Sequence, residues 1–268
     1  MNEPPPLPET PAPAASSHPP MSLAARLMNV FAVPGEVFEE VKAASHSAAN
    51  WLVPVLIASV VGVASVIIVF SQPAIQQQIH EKQVAAMEKK FDKEVQAGRM
   101  TKEQSDKALE TMERFLGPTM MKISGSISFV FYSFVRVFFW GLVLWLAGRW
   151  MLKAQFGYLK AVEVAGLAGM IGVLGTIVSL LLRVNFSNPA ASPSLALTVG
   201  EFDEKNTLHM LLAMVNLFEL WQVGVMGAGL ARLARAPFLR ATLPVLVIWT
   251  IISVALGTLS SLAVRLGS

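Results

Sequence analysis

Five stretches of this chain are oily for long enough to cross a lipid bilayer, which leaves few folds open to it. Trp51 to Phe70, Ile123 to Gly148, Ala161 to Leu182, Leu208 to Leu230 and Leu243 to Val264 are each mainly apolar. As a helix rising about 1.5 Å per residue, a run of about 20 residues spans the roughly 30 Å hydrocarbon layer. Inside that layer every backbone N–H and C=O must find a partner within the protein, and a helix supplies them locally. The composition agrees: 54% of residues are hydrophobic, 15% are charged and the mean hydropathy is +0.55, too apolar for an ordinary soluble domain. The expected fold class is therefore all-α: a polytopic membrane protein with five transmembrane helices.

The rest of the chain divides around these spans. Residues 1–20 hold eight of the sixteen prolines and no apolar signal-peptide core, so they read as a disordered tail. Its two P-x-x-P spacings, Pro5 with Pro8 and Pro8 with Pro11, suit an aromatic groove but also arise by chance in such a composition. Over residues 21–50, Leu23, Leu27, Val30 and Phe31, then Val37, Phe38 and Val41, recur at helical spacing. These are short amphipathic helices that either lie in the membrane interface, apolar side down, or pack on the protein's own loops. Residues 51–268 form the five-helix domain.

Between the first two spans, at 72–122, the character changes. Nine Lys or Arg and eight Asp or Glu lie between Ser71 and Lys122, with Ile75, Ile79, Met87, Phe91 and Val95 stepping mostly by four. Gly98 reads as a stop, and Thr101 with Gln104 has the spacing of a capping box that starts a second helix. An extramembrane helical hairpin follows, its apolar stripe closing on itself or binding a partner helix.

Net charge is only +3 and the hairpin's acids offset its bases, so nucleic acid is not an expected partner. The basic residues instead mark orientation. Arg149, Lys153 and Lys160 follow the second span and Arg232, Arg235 and Arg240 the fourth, with no acid in either loop. By the positive-inside rule these loops and the N-terminus face the cytoplasm of a cell membrane, and the hairpin and C-terminus lie outside.

The ordered set P-G-E-V-F-E-E-V-K from Pro34, W-L-V-P-V-L-I from Trp51, G-R-M-T-K-E-Q-S-D-K-A-L-E-T-M-E-R-F from Gly98 and L-F-E-L-W-Q-V-G from Leu217 resembles the Yip family. More narrowly, residues 21–264 are similar to prokaryotic-type members of the Yip-one domain group. The resemblance implies five helical spans, a cytoplasmic N-terminus and, in eukaryotic members, binding to Rab-type GTPases and to partner membrane proteins in vesicle traffic. The chain has no counterpart of those members' Y-G-P-type tail motif, its only tyrosines being Tyr132 and Tyr158, which argues against GTPase binding here.

One carboxylate needs a reason. Glu219 lies mid-way along the fourth span, where a charge costs about 2.5–3.5 kcal/mol on insertion scales and is normally paired or faces a polar interior. Asn216, Glu219 and Gln222 fall three apart, so on a continuous helix they form one polar stripe. Arg136 matches Glu219 in depth, whereas Glu163 stands two residues into the third span, an offset from Arg136 on the order of 13 Å. The expected intramembrane pair is Arg136 with Glu219, supported by Asn216 and Gln222. It is either a fixed clamp between helices or a titrating site on a proton or ion path. For helix packing, the small-xxx-small spacings of Ala165 with Gly169, Ala168 with Gly172, Gly224 with Ala228 and Gly227 with Ala231 predict close approach.

Catalysis finds no pattern. The three aspartates, Asp92, Asp106 and Asp203, fall outside the spans, the four histidines are scattered, cysteine is absent, and no G-x-S-x-G surrounds a serine. We expect no enzyme, metal or cofactor. Two functions remain: a membrane organiser making lateral and cytoplasmic-face contacts with lipid, other membrane proteins or further copies of itself, and a small transporter or channel built on Arg136 and Glu219.

Overall fold

The computed structural model describes residues 20–115, 117–200, 202–203 and 205–267. The tail read at residues 1–20 lies, apart from Pro20, outside the described residues. Within them the chain forms ten α-helices: α1 (Leu23–Asn29), α2 (Pro34–Ala43), α3 (Ala49–Val69), α4 (Pro73–Gln96), α5 (Lys102–Phe115), α6 (Pro118–Leu146), α7 (Tyr158–Asn185), α8 (Thr207–Met214), α9 (Leu217–Ala234) and α10 (Phe238–Gly267). The fold is an all-α polytopic membrane fold.

Helix starts follow from local chemistry. The Ser22 hydroxyl accepts from Ala25 N at 3.2 Å to cap α1. Prolines open α2, α4 and α6, where a missing N–H leaves nothing unpaired. In the hairpin of α4 and α5, Gly98 takes a left-handed φ of 70° just after α4. Thr101 and Gln104 then cap α5 reciprocally, Thr101 N donating to Gln104 Oε1 at 2.9 Å and Gln104 N to Thr101 Oγ1 at 3.2 Å.

Four helical stretches are long and apolar enough to cross a membrane: α3, α6 continued through a π-helical turn to Met151, α7, and α10 from Phe238 to Val264. The run Leu208 to Leu230 departs from the expectation of five uninterrupted spans. It is two helices, α8 and α9, parted at Val215 and Asn216, where the backbone leaves the helical conformation and is extended at Asn216. Such a break survives at membrane depth only if protein satisfies its backbone. The loop after α7 does so: Leu195 N donates to Val215 O and Leu217 N to Pro193 O, both at 3.0 Å, beside a bridge between Ser194 and Asn216.

α7 is the centre of the bundle. Every residue from Ala161 to Ala168 is buried, among neighbours on α3, α6 and α9. The apolar face of α2 joins this core: Val37, Phe38 and Val41 are fully buried, with Phe38 against the α9 backbone at Gly229. The oily side of α2 thus faces transmembrane helices, in line with the packing alternative for this helix.

The close approaches fall at one expected position, Gly227, and also at Gly166, which the spacing did not mark. A Cβ at Gly166 would strike the Trp51 backbone, and one at Gly227 would strike Thr242, so these residues let α7 meet α3 and α9 meet α10. Ala165 is buried and Ala228 half-buried, but Gly169 and Gly224 have nothing within 4 Å of a built Cβ. Those two glycines are not contact points. One residue along a helix turns about 100°, enough to shift the contact from Gly169 to a near neighbour.

Candidate functional site

Arg136 comes from the middle of α6 and Glu219 from the first turn of α9. The Arg136 Nη2 donates to both Glu219 carboxylate oxygens at 2.8 Å and to Gln222 Oε1 at 2.9 Å. The break in the helix is what gives Glu219 its position. Asn216 is the N-cap of α9, its side chain accepting from Phe218 N at 2.9 Å, which makes Glu219 the third helical residue, where the helix dipole favours an anion.

The structure thus brings Arg136, Glu219 and Gln222 together and leaves Asn216 out of the pair. The expected stripe assumed a continuous helix. Asn216 followed three residues later by Glu219 also has the spacing of a capping box, the signal in the sequence for a helix start at this point. Gly172 stands beside the pair: a Cβ there would lie 3.2 Å from Gln222 Oε1 and 3.3 Å from Arg136 Nη1. Its small size makes room for the polar group.

A cavity of about 200 Å³ borders this pair. It runs from Gly172, Arg136 and Glu219 to Ser65, Ser179 and Arg183, at the end of the bundle away from the basic loops. On the side towards those loops a second cavity, of about 60 Å³, is lined by Arg136, Gly172 and Gln222 together with Ala165 and Gly166.

A second polar cluster was missed from sequence. Glu163 is fully buried, accepting at Oε2 from Asn50 Nδ2, with Lys160 Nζ 3.1 Å from its Oε1. Asn50 Oδ1 accepts from Arg26 Nη1 at 3.3 Å, and Arg26 Nε lies 3.7 Å from Glu40, whose carboxylate accepts from Met21 N at 2.9 Å. Lys160 also donates to Val41 O at 2.6 Å. These contacts fasten α1 and α2 to α3 and α7. Glu163 at three residues from Lys160 was the available signal, an i,i+3 pair at the foot of an apolar run. Among the described residues no group of three His, Asp or Glu side chains gathers as a metal site.

A sequence model of the Yip1 domain matches residues 28–259, most of the chain. No curated protein and no solved structure matches it.

Proposed function

The chain belongs to the Yip1 domain family, and from that premise we propose that it is a membrane organiser, acting through lateral contacts and through a rigid platform at its cytoplasmic face. The observation that carries this reading is the Arg26, Asn50, Glu163 and Lys160 network, which locks α1 and α2 onto the bundle. Arg232 reaches α2 beside Glu39, and the charge of Arg149, Lys153, Arg232 and Arg235 in the basic loops supports a cytoplasmic position for this end. Met28, 69% exposed on α1, offers an apolar contact there. In this reading the Arg136–Glu219 pair is a clamp that holds α6 to α9, and the chain carries out no catalysis.

The test is photo-crosslinking in native membranes from Met28 and from Leu239, which is also exposed. Discrete adducts with another membrane protein or a second copy of the chain, lost in Asn50→Ala, support the organiser; crosslinking to lipid alone from both positions rejects it.

One observation favours a second reading, a small transporter. The interrupted α8–α9 segment and the polar cavity beside it resemble the discontinuous helices that line transport sites at membrane depth. Solute or proton flux in reconstituted vesicles, abolished by Glu219→Gln, would establish it over the organiser.

A further inference from the structure

The cavity beside the clamp has more positive charge and more idle donors than the clamp uses. Arg136 spends only Nη2 on Glu219 and Gln222. A guanidinium carries five N–H groups, and among the described residues those on Nε and Nη1 have no hydrogen-bond acceptor. Arg183 contributes a second guanidinium to the cavity wall, with a single hydrogen bond, from Nε to Ala191 O at 3.3 Å, and no ion pair among the described residues. Two cations therefore face one carboxylate.

The serines supply an independent sign. Ser65 on α3 and Ser179 on α7 are only 4% and 9% exposed and line this cavity. Helical serines buried in apolar surroundings commonly bond back to the carbonyl four residues earlier, as Ser59 does to Val55 O at 2.8 Å and Ser133 to Phe129 O at 2.9 Å. Ser65 and Ser179 make no such bond, and their hydroxyls are left to the cavity. Both hydroxyls are open to the cavity and free to bond what fills it.

We infer that this cavity binds a small oxyanion, of the carboxylate or phosphate class, at the Arg183 guanidinium with the Ser65 and Ser179 hydroxyls as further donors and Arg136 adding positive charge to the cavity wall. Planar guanidinium forks match the paired oxygens of such anions. The volume of about 200 Å³ admits a small oxyanion with some water and is below the roughly 300 Å³ at which drug-sized pockets begin. Glu219 offsets the charge of Arg136 through Nη2, so the empty site keeps the positive charge of Arg183. Binding does not require transport, so the inference stands apart from the choice between organiser and carrier.

The experiment uses the full chain in nanodiscs of zwitterionic lipid. Calorimetric titration with inorganic phosphate and with acetate tests a free anion, and a separate preparation in which phosphatidylglycerol replaces part of the lipid, followed by native mass spectrometry, tests a headgroup. Saturable binding in either arm, weakened at least about tenfold by Arg183→Gln and measurably by the paired Ser65→Ala and Ser179→Ala substitutions, is the expected result. The serine variant only removes hydroxyls from a cavity wall, so it keeps the test valid if the arginine variant fails to fold. Absence of saturable binding in both arms, or binding indifferent to the serine variant, overturns the inference.

Discussion

Arg136 on α6 holds Glu219 on α9 through a single nitrogen, Nη2, which lies 2.8 Å from each carboxylate oxygen. Glu219 reaches that nitrogen because α9 is capped three residues earlier at Asn216, not because a continuous span presents it. The helix break and the ion pair are thus one feature. The N-terminus of α9 favours the anion, Arg136 neutralises it, and Gln222 accepts from the same nitrogen.

The N-cap assigns Asn216 a role separable from the pair. Asn216→Ala removes the acceptor for Phe218 N and should cost about 1 kcal/mol of stability. Asn216→Asp should restore most of it. Amide exchange at Phe218 provides the check: faster in the alanine variant, near the parent rate in the aspartate one.

The glycine contacts predict a contrast between two positions three residues apart on α7. Gly166→Ala forces a methyl against the Trp51 backbone and should destabilise by about 1–3 kcal/mol, as overpacking does. Gly169→Ala meets open space, and the better helix propensity of alanine should leave stability unchanged or raised by up to about 1 kcal/mol. Unfolding midpoints of the two variants in one detergent decide it; equal losses would contradict the packing described.

Glu163 fastens α1 and α2 to the bundle through Asn50 and Lys160. Glu163→Ala leaves Lys160 without its buried counter-charge and should cost about 2 kcal/mol or more. The loss should appear as faster hydrogen exchange and earlier proteolysis over residues 21–45, with α4 and α5 unaffected.

At the hairpin turn, Arg99 donates from Nε to Glu94 Oε2 at 2.6 Å and from Nη2 to Oε1 at 3.0 Å. Chiefly through these hydrogen bonds, and also through the Arg99 charge, the Glu94 carboxyl is held below the usual glutamate range. With the folded value lowered, the pair's stabilisation is fully present above the unfolded pKa and is lost as pH falls through the folded one. A titration of the Glu94 carboxyl carbon shift should show the low midpoint, and Arg99→Ala should return it to the ordinary range.

Much of this was legible in the sequence. Long apolar runs announce spans because hydrocarbon allows no other backbone solution, and the Thr101–Gln104 cap is a local pattern with a local cause. What was not legible depended on distant parts of the chain. The break at Asn216 is stabilised by Pro193 and Leu195, about twenty residues earlier, and apolar residues on both sides conceal it. The partner of Glu163 is hidden in the same way, since nothing in its own span shows that Asn50 lies across from it. Small-residue spacing showed that α7 packs closely but not on which face, because Gly169 fits such a pattern with Ala165 whereas Gly166, four residues from Val162 and Met170, falls outside it.

The Arg136–Glu219 contact joins α6 to α9, and a double-mutant cycle on unfolding free energy measures the strength of that link directly. Arg136→Met and Glu219→Leu should each destabilise by leaving the other charge unpaired, while the double variant should be more stable than their sum implies by at least about 1 kcal/mol. If the two losses instead add within about 0.5 kcal/mol, the side chains are energetically independent and the clamp does not exist.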